Sequence, residues 1–136
     1  MGCDIHLHTE VKIDGVWHHM GAPSVPRSYR LFAKMAGVRG AEAPIAEPRG
    51  LPDDATPLTR LDFARWGRGA HTPSWLGAAE IAELQDWLRD SCDQVWPERD
   101  LGWGYLFGNS WGGFFRYPES RPEGLEDVRF VFWFDN

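Results

Sequence analysis

The chain is poor in cysteine. Cys3 and Cys92 are its only two, too few for a disulfide framework and without the paired spacing of a zinc site. Free thiols in a reducing cytoplasm are therefore expected. Long apolar runs are missing as well. No stretch approaches the roughly 18 residues of a membrane span, and no charged-then-apolar leader opens the chain. Met1-Gly2-Cys3 begins like an N-acylation signal, but His6 stands where that signal carries Ser or Thr. A basic excess is also lacking. Fourteen Lys and Arg against twenty Asp and Glu give a net charge of −6, which argues against non-specific nucleic-acid binding, a function needing a basic footprint. Internal repeats and low-complexity tracts are absent. A soluble cytoplasmic protein, bound to neither membrane nor nucleic acid, is the expectation.

What the chain does hold is aromatic: eight Trp, eight Phe and three Tyr. Such residues bury large areas and also make flat binding surfaces. With 136 residues, 43% apolar and 25% charged, the composition predicts one globular domain over 1–136 with a sizeable core.

The opening organises the rest. From Gly2 to His19, apolar and polar residues alternate, meet Asp14-Gly15, and resume. Period-two alternation broken by Asp-Gly predicts a β-hairpin with a two-residue turn. Cys3, Ile5, Leu7, Thr9, Val11 and Ile13 then share one face, and Asp4, His6, His8, Glu10 and Lys12 the other. The turn sets Glu10 opposite His19. A short helix is predicted from Ser28 to Ala36, capped by Ser28 and stopped by Gly37. The Pro- and Gly-rich stretch 38–57 reads as a long functional loop carrying Arg39 and Arg49. Thr59 to Trp66 suggests a second helix with Leu58, Leu61 and Arg65 on one side, followed by a Gly-rich loop from Gly67 to Ser74.

A third helix is expected over Ala78 to Cys92, with Ile81, Leu84, Trp87 and Leu88 as its apolar stripe and Gly77/Glu80 as a capping pair. Tyr105–Phe107 and Phe114–Tyr117 read as a wide hairpin. Val128 to Phe134 is almost continuously apolar, as in a central strand covered on both faces. Together these predict an α+β fold: a mainly antiparallel sheet starting with the N-terminal hairpin, with two or three helices packed on one face.

Asp4-x-His6-x-His8 has a logic for metal. Alternate residues of one strand project in parallel roughly 6.5–7 Å apart, so neighbouring imidazoles can converge on a cation while a carboxylate completes or orients the shell. His19 joins this face from the second strand, and a site without thiolate suits zinc, manganese, iron or nickel. The same residues can instead floor a metal-free polar pocket, or simply face water. His71, Arg39 and Trp75 are candidate ligand contacts from loops. Cys3 falls on the apolar face and reads as an inert thiol, and Asp53-Asp54 and Glu126-Asp127 read as loop or capping residues.

Asp4-Ile5-His6 is similar to the opening of calcineurin-like phosphoesterases, and His6-x-His8-Thr9 to that of polymerase-and-histidinol-phosphatase hydrolases. The further metal-binding motifs of both are missing here. A wider resemblance rests on Met1–His8, Tyr29–Val38, Pro48–Pro52, Ser74–Leu76 and Gly124–Asn136. These blocks resemble a family of small bacteriophage and prophage proteins that open Met-Gly-Cys-Asp-Ile-His. The resemblance implies a soluble, non-virion phage protein of the host cytoplasm, of the kind that counters host defence. The leading expectation is an accessory protein that binds a small anionic ligand, such as a nucleotide signal, on the hairpin face. A metal-dependent hydrolase of a phosphoester or nucleotide is the alternative, with Asp4, His6, His8 and His19 as ligands and Glu10 as general base. A protein-binding inhibitor of a host defence factor is the third. Exposed strand edges and surplus aromatics are compatible with a homo-oligomer.

Overall fold

The computed structural model describes residues 2–90, 103 and 117–136. The first hairpin forms where the alternation places it. β1 (Asp4–Ile13) pairs antiparallel with β2 (Val16–Gly21), with Ile13 opposite Val16, Lys12 opposite Trp17 and Glu10 opposite His19. Asp14 and Gly15 both take positive φ, 50° and 80°, the turn whose twist matches that of the flanking strands. The pairing slips by one residue between Thr9 and Glu10.

Two further strands complete the sheet. β3 spans His71–Gly77 and β4 Leu125–Asp135, and the order β2-β1-β4-β3 is antiparallel throughout. β4 is central, as its apolar run requires. The first part of β3, His71 to Ser74, falls in the predicted Gly-rich loop. It carries Pro73 and a left-handed Thr72 (φ 53°), and its register slips between His71 and Ser74. Pro is tolerated in such a strand because β3 lies at the sheet's edge.

The even-numbered residues Val128, Phe130, Phe132 and Phe134 of β4 join Ile5, Leu7 and Val11 of β1 in the main core. Each such side chain, fully buried, contributes about 1.5–3 kcal/mol. Over this face lie α1 (Tyr29–Ala36) with Leu31, Phe32 and Met35, and α3 (Ala78–Asp90) with Ile81, Leu84 and Leu88. Cys3 is buried here as expected, and burial raises its thiol pKa.

Helix ends follow the sequence with one difference. Gly37 takes φ 72° and closes α1 by donating to the Ala33 carbonyl. Ser28 occupies the N-cap position, but its hydroxyl makes no capping bond and is buried without a partner among the described residues. At α3, Glu80 accepts from the Gly77 N–H at 3.0 Å, as the capping pair predicts. The predicted hairpin of 105–117 and the end of the third helix at Cys92 lie outside the described residues, Tyr117 excepted.

The predicted single helical layer is corrected by α2 (Pro57–Trp66), which covers the opposite face of the sheet. There it meets Glu10, His8 and His6 through Thr59, Asp62 and Trp66. Its predicted apolar side points the wrong way: Leu58 and Leu61 are 57% and 67% exposed. A helix seated on a polar face buries polar residues, so an apolar stripe cannot locate it. No described helix is long and apolar enough to cross a membrane.

Candidate functional site

The sheet's second face is built from alternate residues of β1 and β4, and it holds two connected polar clusters. The inner one centres on Glu10, whose side chain is fully buried. Arg129 of β4 lies opposite Glu10 in register and meets Oε1 through Nε at 2.8 Å and through its terminal nitrogen at 2.7 Å. Oε2 accepts the Thr56 N–H at 2.9 Å, the Thr56 hydroxyl at 2.6 Å and the Thr59 hydroxyl at 2.8 Å. Burial works to raise the Glu10 pKa, but the bonds from Thr56, Thr59 and Arg129 outweigh it and hold the carboxyl below its ordinary value. Arg129 also binds the Asp54 carboxylate at 2.8 Å and rests over the Trp17 ring at 3.8 Å. Glu10 thus has both oxygens engaged and ties α2's N-terminus to the sheet.

The outer cluster gathers the three histidines. His8, nearly buried, bonds through Nε2 to Asp62 Oδ2 at 2.8 Å and through Nδ1 to His19 Nε2 at 2.9 Å. A carboxylate acceptor assigns the proton to His8 Nε2; neutral His8 then accepts at Nδ1 from His19 Nε2–H. Asp62, His8 and His19 form a carboxylate–imidazole–imidazole chain. Burial and then the neighbouring His8 lower the pKa of His19, against the opposing pull of Glu10 and Asp62. His6 bonds through Nε2 to Asp135 at 2.6 Å and lies against Trp66 at a centroid distance of 4.1 Å. Trp133 stacks with both His6 and His8, at 6.0 and 5.1 Å.

A cleft of about 400 Å³ opens beside these groups, lined by Asp4, His6, His8 and Asp62, by Ile5 and Leu7, and by the segment Ala22–Val25. That volume lies within the range of small-ligand sites. Asp4 is held at the wall by Arg27, at 2.9 and 3.0 Å; this bond lowers the Asp4 pKa.

Of the residues singled out in the sequence, His6, His8 and Asp4 line the cleft, and His19 reaches it through His8. Arg39 and His71 lie elsewhere, meeting at Asn136 Oδ1 at 3.5 and 3.2 Å. Trp75 lies under Arg49 at 4.3 Å, and Arg49 pairs with Glu80. Among the described residues, no three His, Cys, Asp or Glu side chains converge as a metal-binding group. His8 Nδ1 and His19 Nε2 face each other at 2.9 Å.

Asp62, Asp135, Thr56, Thr59 and Arg129 were not foreseen. Arg129 carried a readable signal, since a lone cation within the apolar run Val128–Phe134 implies a buried counter-charge. Asp62 carried none, because its role depends on which face α2 covers. Protein-family models, curated proteins and solved structures returned no match to this chain, and its functional reading rests on the geometry of the cleft.

Proposed function

We propose that the protein binds a small ligand of nucleotide class in the cleft beside β1, as an accessory protein that sequesters a signal of host defence. The observation that carries this reading is the convergence of His6, His8 and Asp62 on one cavity of about 400 Å³. Partly buried imidazoles and a carboxylate supply donors and acceptors that orient a polar ligand, as a few placed polar groups do in most small-ligand sites. The phage setting comes from the sequence resemblance, and the host cytoplasm goes with it. The test is to purify the protein from infected or nucleotide-rich cells, denature it and identify released small molecules by mass spectrometry. An intact nucleotide, lost in His6→Ala/His8→Ala, supports sequestration. A protein that releases none and binds none when titrated sinks it.

One observation favours a second reading, hydrolysis assisted by a divalent metal. His8 Nδ1 and His19 Nε2 confront each other at 2.9 Å while His8 Nε2 is backed by Asp62, the carboxylate–histidine arrangement that orients metal ligands. His8 and His19 would hold zinc, manganese, iron or nickel, and the ion would supply a bound water of lowered pKa. Elemental mass spectrometry of the purified protein, and of His6→Ala/His8→Ala, decides it. Near-stoichiometric metal lost in the variant favours the hydrolase.

A further inference from the structure

β1 is ten residues long, but β2 covers only part of it. Pairing with β2 runs from Ile13 to Thr9, whereas pairing with β4 continues to Asp4. In the two-residue turn, Ile13 and Val16 form the closing pair that exchanges both backbone bonds. Successive residues of a strand turn their N–H and C=O to opposite neighbours, so Ile13, Val11 and Thr9 address β2. Ile5 and Leu7 address the same side, where β2 has ended. His6 and His8 address β4 instead.

Ile5 and Leu7 turn their side chains to the core face, away from His6 and His8, yet both line the cleft with the little exposure they keep, 8% and 2%. It is therefore their backbone that the cleft meets. Among the described residues, no backbone bond joins them to the facing segment Ala22–Val25. The sheet thus has a notch in its edge, in line with β2, whose floor is a row of alternating donors and acceptors. Backbone groups so placed take a partner, water or a ligand.

We infer that this notch reads the ligand's heterocycle: a nucleobase pairs its donor–acceptor edge with the backbone of Ile5 and Leu7. The inference rests on the nucleotide reading above and adds which part of the molecule is recognised. Charge agrees with it. Among the described residues, the side chains lining the cleft include the carboxylates Asp4 and Asp62 but no Lys or Arg, so the floor suits the uncharged base and sugar rather than a phosphate. A carboxylate such as Asp62 suits a ribose hydroxyl, a pairing used in dinucleotide sites. Arg27, clasped to Asp4, and Arg65, paired with Asp62 at 3.1 Å, are cations beside the cleft that a phosphate leaving it can meet.

The test is amide hydrogen exchange by NMR on the full chain, alone and with adenosine, guanosine, cytidine and uridine 5′-monophosphates, and with ribose 5-phosphate as a base-free probe. In the free protein the Ile5 and Leu7 amides should exchange faster than those of His6 and His8. At least one monophosphate should slow Ile5 and Leu7 by about tenfold or more, and ribose 5-phosphate should not. A monophosphate that shifts the His6 and His8 ring signals while Ile5 and Leu7 exchange unchanged overturns the edge inference and leaves nucleotide binding standing. Equal protection by ribose 5-phosphate also overturns it. If no monophosphate moves the His6 or His8 rings, both readings fail together.

Discussion

Replacing Glu10 by Gln removes one charge from the most enclosed polar cluster of the fold and leaves its shape almost unchanged. The carboxylate accepts from Arg129, Thr56 and Thr59. An amide can present its oxygen to only one of those two sides, so its NH2 must face donors on the other. The one counter-charge left to Arg129 among its described partners is then Asp54, whose side chain is 66% exposed and therefore well screened. Stranding one partner of a buried ion pair costs about 3–5 kcal/mol. For a chain of this size that lowers Tm by roughly 10–20 °C.

The assay is urea unfolding followed by circular dichroism, for wild type, Glu10→Gln, Arg129→Met and the double variant. The double variant should lose less than the sum of the two single variants, because no charge is left stranded in it. The pH dependence has a fixed sign. The folded pKa of Glu10 lies below its ordinary value, so its contribution is present above about pH 4.5 and is lost as pH falls through the folded value. Glu10→Gln should flatten that acid limb. A loss under about 1 kcal/mol, against the 3–5 expected for a stranded buried charge, would refute the assignment of Glu10 and Arg129 as one enclosed pair.

His19 should titrate below the usual histidine range in an NMR experiment; the unfolded chain then takes up the proton first, and stability falls as pH drops below about 6.5. His19→Gln should remove that slope. Asp62→Asn should release the His8 ring, seen as a change in the His8 Nε2 shift and exchange rate, with smaller effect on His6, which Asp135 holds. Gly37→Ala should cost about 1–2 kcal/mol in urea unfolding, because φ 72° is left-handed backbone. Arg49→Ala should cost about 1 kcal/mol, partly recovered in the comparison at high salt, since it loses both the Glu80 pair and the Trp75 ring.

The hairpin was legible because three signals agree in it: alternation, the Asp-Gly turn and the register they impose. Glu10 meets His19 across the strands as counted from the turn. β4 was legible from its unbroken apolar run, and α1 and α3 from stripes that face a core. The helix α2 was legible but its seating was not, and β3 was missed, for complementary reasons. The buried side of α2 is polar, and its leucines face outward, so the usual pattern is inverted. β3 contains Gly and Pro because it is an irregular edge, and those residues read as loop. The candidate site shares this division. Its β1 half, His6 and His8, could be read from spacing. Its α2 half, Asp62, depended on a layer that periodicity does not reveal.

The seating of α2 is uneven along its length, and this shapes how the fold opens. Its first turn is anchored by charge-assisted bonds to an ionised, enclosed Glu10, each worth about 1.5–3 kcal/mol. Its last turn holds by ring contacts, Phe63 against Trp133 and Trp66 against His6, each worth about 0.5–1.5 kcal/mol beyond the area buried. The Trp66 end, which lacks a fully enclosed ionic anchor, is expected to open first in hydrogen exchange, at a free energy below that of global unfolding, with Thr56 and Thr59 as the pivot. Such partial opening uncovers His6 and loosens Asp62 but leaves the sheet intact. His6 and His8 already meet the cleft, so fraying adds only the side of His6 that Trp66 covers.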